Sequence, residues 1–186
     1  MQRYIVHLRN RSYTPKDAIA VLRRARELVE SKVTVRDARL SNKYIEFDTS
    51  IPDDMDISEL ADKLKAISPV ASYEHVVERH MGKEEAIKRG VELFNDEKYW
   101  GAHESLEPIW KGTSGDEKRI LNGIILIAAA FVHDEKDESE VCMSILKRAS
   151  KKLEGTGGMY HGIDIDRISE LISKIISSGR IMRFEI

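Results

Sequence analysis

The chain has 186 residues, of which 41% are hydrophobic and 33% are charged, and its formal net charge at pH 7 is −2. This mixture is typical of a folded protein and excludes a disordered chain, and the near balance of charge gives no overall attraction to nucleic acid or to an anionic membrane. The longest apolar run, residues 124–132, is far shorter than the roughly 20 residues that cross a bilayer.

The chain carries one cysteine, Cys142, so the sequence offers no internal disulfide and no thiolate cage for a metal. Any metal would have to be held by histidines and carboxylates. The first residues lack the signal-peptide pattern of an apolar stretch before a small-residue cleavage site. We therefore expect a cytoplasmic protein.

Strand-like and helix-like patterns alternate over residues 1–80. Residues 3–9 alternate in polarity with a period of two, as a half-buried strand does. Thr14-Pro15 then begins a helix with apolar residues at helical spacing, and Asp56 begins a second helix that ends before Pro69. The remaining segments, rich in β-branched and aromatic residues, predict strands at 32–40 and 43–49, joined by a turn at Ser41-Asn42, and at 70–77.

The resulting order is βαββαβ, which predicts a ferredoxin-like α+β domain over residues 1–80, an antiparallel sheet with two helices on one face. This fold hosts many functions and by itself indicates none. RNA-binding versions stack bases on exposed aromatic side chains of the central strands. The side chains expected on the outer face here are Arg3, His7, Arg9, Tyr44, Glu46 and Asp48. Their mixed charges and few aromatic rings make RNA binding a minor alternative.

From residue 83 onward the pattern is helical only, which predicts an all-α helical bundle over residues 83–179. The predicted helices cover residues 83–94, 98–111, 116–133, 139–154 and 164–178. The third is almost wholly apolar from residue 120 to residue 133 and should be the buried centre of the bundle. Residues 180–186 alternate in polarity and predict an added C-terminal strand.

One stretch of the bundle is rich in chemically active side chains: Tyr99-Trp100-Gly101-Ala102-His103-Glu104-Ser105-Leu106-Glu107-Pro108-Ile109-Trp110. It contains an HExxE pattern. On a helix, His103 falls in the same stripe as Tyr99 and Leu106, so we expect a buried imidazole. Glu107 lies one turn after His103, within side-chain reach. Glu104 projects about 100° away from His103 and joins the pair only if another helix closes that side.

A histidine and a carboxylate at this spacing suit a divalent ion, because imidazole nitrogen and carboxylate oxygen bind Zn, Mn, Fe or Ni in open sites. We expect the ligands to be His103, Glu107 and His133, the last of which ends the central helix. His161, in the loop before the last helix, is a poorer candidate. Glu104 is then the catalytic residue, a general base on a metal-bound water, and the chemistry is hydrolysis.

Two other interpretations fit the same residues. His103 and Glu107 can form a buried hydrogen-bonded pair that fixes helix packing without any ion. The cluster can also bind a ligand without catalysing a reaction. If the pair is structural, the protein is a non-enzymatic interaction module, in which the ferredoxin-like domain and the terminal strand mediate partner binding or self-association into a homo-oligomer.

Taken together, the motifs of the helical half resemble the family of domain of unknown function 309, whose members are also described as predicted metal-dependent hydrolases. The resemblance covers residues 83–178 and rests on residues 90–95, 99–107 with Trp110, 121–125, 128–133 and 162–164. It implies an all-helical bundle with the AHExxExxW signature at Ala102, His103, Glu104, Glu107 and Trp110. We expect a small-molecule substrate, which the sequence does not identify, and neither nucleic acid nor a membrane as a partner.

The chain departs from the family pattern at two places, a single residue and a pair of residues. Leu126 stands in the central helix where similar proteins usually carry glutamine. Asp137-Glu138 replaces the usual Gly-Asn after that helix, so we expect a changed loop geometry next to His133.

Overall fold

The structure, a computed structural model, describes residues 1–77 and 80–186. The chain divides into two compact units, residues 1–80 with 135–137 and residues 81–134 with 138–186. The domain expected over residues 1–80 includes residues 78 and 79, which lie outside the described part of the chain. Among the described residues, no helix has the length and apolar character needed to span a membrane.

The first unit is built on a four-stranded antiparallel sheet. In chain order the strands are β1 (Gln2–Arg9), β2 (Thr34–Leu40), β3 (Tyr44–Ile51) and β4 (Val70–His75). Their spatial order is β2-β3-β1-β4, so β1 pairs with both β3 and β4, and β2 pairs with β3. The predicted antiparallel sheet is confirmed.

Two helices and one face of this sheet form an apolar core. The helices are α1 (Ala18–Leu28), preceded by a 3-10 turn (Pro15–Asp17), and α2 (Ile57–Leu64). Val6 and Phe47 of the sheet are fully buried in one cluster with Val21 of α1 and Leu60 of α2. Both helices therefore contribute to the core on the same face of the sheet.

The opposite face of the sheet carries charged side chains, most of which are buried in pairs. Nε2 of His7 lies 2.7 Å from Oε2 of Glu46, and Nε of Arg39 lies 3.0 Å from the other oxygen of Glu46. The Arg3 guanidinium donates to Asp48 at 2.7 Å. The expectation that His7, Glu46 and Asp48 lie on an exposed face is wrong, because all three are buried, and each has a polar partner that compensates its burial. The RNA alternative depended on that face being exposed.

The second unit contains five helices within residues 81–186, all of which are described. They are α3 (Lys83–Asn95), α4 (Tyr99–Lys111), α5 (Gly115–Asp134), α6 (Ser139–Leu153) and α7 (Ile165–Ser178). Each begins and ends within one residue of the predicted bounds. Helix α5 packs against α4 and α6, and its apolar run is buried from Ile120 to Phe131 except at a few positions, as predicted for the central helix.

A glycine allows α3 and α4 to approach closely. A side chain at Gly90 would place its Cβ 2.7 Å from Cγ of Leu106, closer than carbon atoms pack. Beside Leu106, the Ser105 hydroxyl donates a 2.9 Å hydrogen bond to the Ala86 carbonyl. These contacts fix the rotation of α4 about its own axis, and so they determine which of its side chains point away from the core.

A short hairpin that the sequence did not predict lies between α6 and α7. Its strands, β5 (Met159–Tyr160) and β6 (Ile163–Asp164), are joined by His161 and Gly162, whose φ angles are 47° and 86°. Positive φ at both central residues is the signature of a type I′ turn, whose twist suits a hairpin. Strands of two residues are too short to produce a periodic sequence signal.

The predicted C-terminal strand is wrong, because residues 180–186 form no strand. Instead the ring of Phe184 packs against Phe94, with ring centroids 6.1 Å apart. The Asn95 side chain donates to the Ile186 carbonyl at 3.0 Å and accepts from the Ile186 N–H at 2.8 Å. Ile181, Phe184 and Ile186 are thus partly buried against the bundle core, and a side-chain amide bonds the backbone of the segment in place of a neighbouring strand.

Arg183 joins the same segment to the bundle by a shielded ion pair. Its guanidinium donates from Nη2 and Nε to Asp134 Oδ2 at 2.8 and 3.0 Å, and Nη1 lies 3.7 Å from a Glu97 oxygen. The side chains of Arg183 and Asp134 are only 11% and 16% exposed. Such a shielded carboxylate depends on its partner, because removing one member of a buried pair leaves an uncompensated charge.

We predict that Arg183→Met lowers the free energy of unfolding by about 2 kcal/mol, since it leaves Asp134 shielded and without this donor. Arg180→Met is the matched control, because Arg180 is exposed in the same segment, and should change the stability by less than about 0.5 kcal/mol. Urea unfolding followed by circular dichroism measures both. If both variants lose the same free energy of unfolding, the stabilising role of the Arg183–Asp134 ion pair is contradicted.

Candidate functional site

Helix α4 carries the HExxE motif, and its buried face fixes the direction of the motif. Tyr99, Ala102 and Leu106 form that face and are each 1% exposed or less. With 3.6 residues per turn, His103 stands at the edge of the buried stripe and Glu107 lies further toward solvent. The motif therefore occupies the flank of α4, between the core and water.

One imidazole and two carboxylates gather on this flank. His103, Glu104 and Glu107 each offer a ligand atom, and these atoms all lie within 4.8 Å of one another. The closest contact joins His103 Nδ1 to Glu104 Oε1 at 3.4 Å. Their side chains are 30%, 46% and 36% exposed, so an ion could reach them from solvent. No other group of three such side chains is found in residues 1–77 and 80–186.

The predicted burial of His103 is wrong, because the core stripe of α4 runs through its neighbours and leaves the imidazole at the boundary. His103 also makes its ion contact with Glu104 rather than with Glu107. Glu107 instead lies 3.2 Å from the ammonium of Lys111, one turn further along. The buried His103–Glu107 pair that the structural interpretation requires is therefore not formed.

His133 does not join this group. It lies near the end of α5, where its Nδ1 contacts an oxygen of Glu138. Glu138 follows Asp137, which adopts a positive φ of 63° in the loop after α5. This loop thus supplies the partner of His133, which the sequence alone placed at the metal.

His161 also lies apart from the group, in a second polar cluster around the β5–β6 hairpin. Its Nδ1 is 3.0 Å from Glu84. The neighbouring Tyr160 hydroxyl donates to Glu117 at 2.8 Å, and Lys83 contacts the same carboxylate. The Lys83 ammonium and the Tyr160 hydroxyl, in that order, lower the pKa of Glu117. Burial and the bond to Glu117 raise the pKa of Tyr160.

Three further side chains lie in the last turn of α4 or against it, and the sequence assigned no chemical role to any of them, although Trp110 belongs to the AHExxExxW signature. Lys111 contacts Glu107, as described above. Trp110, in the same last turn of α4, has a buried indole Nε1 without a hydrogen-bond partner among the described residues. Nζ of Lys118, in α5, lies 5.2 Å from the centre of the Trp110 ring. The i,i+4 spacing of Glu107 and Lys111, together with Trp110 of the AHExxExxW signature, was the signal in the sequence that could have pointed to this corner.

The donor set fits a divalent transition metal. One imidazole nitrogen and two carboxylate oxygens are the ligand types that Zn, Mn, Fe and Ni accept. Donors about 2.0–2.2 Å from one ion lie within about 4.4 Å of each other, so small rotamer changes would bring these three atoms to coordinating positions. Lys111 opposes ion binding at this group, because its ammonium must leave Glu107 before that carboxylate can bind an ion.

Comparison with known proteins finds a family match within the helical half of the chain. The model of the family described as "Domain of unknown function (DUF309)" matches residues 87–145, which confirms the resemblance stated above for this half. A solved structure, described as a conserved hypothetical protein from Thermus thermophilus, is 28% identical and covers 48% of this chain and 94% of its own, with a TM-score of 0.43. No curated protein matches the chain.

The second cluster generates a prediction about acid stability. Because the pKa of Glu117 is lower in the folded protein than its ordinary value of 4.5, its ionised form stabilises the fold above that value. This contribution is lost as the pH falls through the lowered pKa. We expect Glu117→Gln to reduce the fall in the thermal unfolding midpoint between pH 6 and pH 3, whereas Glu140→Gln, an exposed control in α6, should not. If the thermal unfolding midpoint falls equally with pH in the wild type and in Glu117→Gln, the stabilising role of ionised Glu117 is contradicted.

Proposed function

We propose that the helical unit binds a divalent metal ion through His103, Glu104 and Glu107. The observation that carries this proposal is the gathering of three donor atoms within 4.8 Å on one helix flank that solvent can reach. The ligand types support it, because nitrogen and carboxylate oxygen together favour Zn, Mn, Fe or Ni over calcium or magnesium.

The reaction we propose for this site is hydrolysis of a small-molecule substrate. When bound, a divalent ion supplies Lewis acidity and lowers the pKa of a coordinated water. His103 and Glu107, one turn apart on a rigid helix, orient the centre. Glu104 is the most exposed of the three, and a carboxylate that binds through one oxygen keeps the other as a proton acceptor. We assign Glu104 that role of general base.

For the first unit we propose the ferredoxin-like arrangement. The support is the spatial order β2-β3-β1-β4, the antiparallel pairing of every neighbour, and the shared core of α1 and α2. Self-association through this unit is the alternative function. Strands β2 and β4 stand at the two ends of the sheet, which is where another strand can add. Residues 180–186 provide no strand for such an assembly.

The metal proposal predicts that the purified, metal-free protein binds Mn²⁺ or Zn²⁺ at one site, measured by isothermal titration calorimetry. His103→Ala and Glu107→Gln should each weaken binding about tenfold or more, since the loss of even an outer hydrogen bond in metal sites costs about 10- to 100-fold. The bound ion should also raise the thermal midpoint of the wild type, because it binds only the folded state.

Two control variants keep this test specific. Glu92 stands in the same i,i+4 relation to a lysine on α3, 4.0 Å from Lys88, so Glu92→Gln removes a carboxylate outside the group. His161→Ala removes a histidine that contacts Glu84 instead. Both should bind the ion as the wild type does. Wild-type protein that binds neither ion, or a His103→Ala variant with unchanged affinity, would contradict the proposal.

A further inference from the structure

The corner between α4 and α5 carries two positive charges, one in contact with Glu107 of the HExxE group and one over the Trp110 ring. Lys111 ends α4, with its ammonium 3.2 Å from Glu107. Lys118 lies in α5 and faces the Trp110 ring at 5.2 Å. Within residues 1–77 and 80–186, Lys118 has no carboxylate partner, so its charge is balanced by the ring face alone. This is an unusual place for a half-buried ammonium in a chain whose other lysines mostly pair with acids.

The Trp110 indole gives a second, independent observation. Its Nε1 is buried and meets no acceptor among the described residues. A buried N–H without an acceptor is rare and costly in a native protein. Trp110 follows Glu107 by three residues, so the two side chains are neighbours on the helix surface. A ligand at the HExxE group that displaced the atoms covering Nε1 would supply the acceptor that this donor lacks.

Ion binding would make the net charge at this corner positive. Without an ion, the carboxylates of Glu104 and Glu107 balance the ammonium groups of Lys111 and Lys118. A divalent ion neutralises the two carboxylates and takes Glu107 away from Lys111. The ammonium groups of Lys111 and Lys118 are then uncompensated, and together they match a phosphate group, which carries a charge of about −1.5 to −2 at neutral pH.

We propose that the site recognises the phosphate group of its substrate, with Lys111, Lys118 and the Trp110 indole N–H as donors beside the ion. The inference rests on the proposed metal site, because the carboxylates repel an anion until the ion neutralises them. It also gives Lys111 two successive partners, Glu107 before the ion binds and the phosphate afterwards. The ion and the phosphate therefore bind in that order.

Calorimetric titration of inorganic phosphate into the full chain, with and without saturating Mn²⁺, tests the phosphate inference. A blank titration of phosphate into Mn²⁺ alone corrects for binding to the free ion. We expect phosphate to bind the Mn²⁺-loaded protein at least about tenfold more tightly than the metal-free protein. Lys111→Met and Lys118→Met should each weaken phosphate binding about tenfold, the scale of a charge-assisted hydrogen bond. Trp110→Phe, which keeps the ring and removes the N–H, should weaken it several-fold.

The controls separate this inference from the metal proposal. Lys88→Met removes a lysine that pairs with Glu92 as Lys111 pairs with Glu107, and it should leave phosphate binding unchanged. Mn²⁺ affinity and the thermal midpoint are measured on every variant and should match those of the wild type. The exception is Lys111→Met, which should bind Mn²⁺ more tightly. The phosphate inference is overturned, and the metal site stands, if Mn²⁺ binds but both lysine variants bind phosphate as tightly as the wild type. The same conclusion follows if phosphate affinity does not depend on Mn²⁺. If Mn²⁺ does not bind, both fail.

Discussion

The packing of one face of α4 governs everything that the HExxE group can do. Tyr99 and Leu106 are locked in the bundle core, and Leu106 lies against the bare backbone of Gly90, so α4 cannot rotate about its axis. His103, Glu104 and Glu107 project from the flank of that fixed helix. Donors held on a rigid element lose little conformational freedom on binding an ion, which is the physical basis of preorganised sites. The apolar side chains of α4 thus determine the geometry of its polar ones.

The position of the group at the edge of the buried stripe also sets its electrostatic character. A fully buried imidazole with two carboxylates would be strongly destabilising without an ion. At the edge, water and Lys111 compensate the carboxylates, so the fold does not depend on the metal. The same exposure leaves an entry path for an ion and a substrate. Lys111 then acts as a competitor of the ion, and the strength of this exposed pair, commonly below about 1 kcal/mol, is small enough for an ion to displace it.

Much of this architecture could be predicted from the sequence, because it depends on local periodicity. The five helices of the second unit begin and end within one residue of their predicted bounds, and the antiparallel sheet is present. The closeness of His103 and Glu107 followed from their i,i+4 spacing. The degree to which His103 is exposed could not be predicted, because a residue at the margin of a helical stripe faces the core or water depending on which neighbour packs there.

Contacts made outside the regular helical repeat could not be predicted from the sequence. His133 was assigned to the metal because it ends the central helix, but Glu138, five residues later, makes its contact. Residues 180–186 alternate like a strand, yet seven alternating residues also suit a segment that buries its apolar side chains on helices. Asn95, 91 residues away in the chain, decides that case by bonding the backbone of Ile186.

Anomalous X-ray diffraction at the manganese edge, from crystals of the full chain soaked in Mn²⁺, tests the central claim most directly. We expect one anomalous peak within about 2.0–2.3 Å of His103 nitrogen and of the Glu104 and Glu107 oxygens, a typical metal–ligand distance, with the Lys111 ammonium moved away from Glu107. A peak at another set of residues, or no peak after soaking at a concentration that saturates binding in solution, would contradict it.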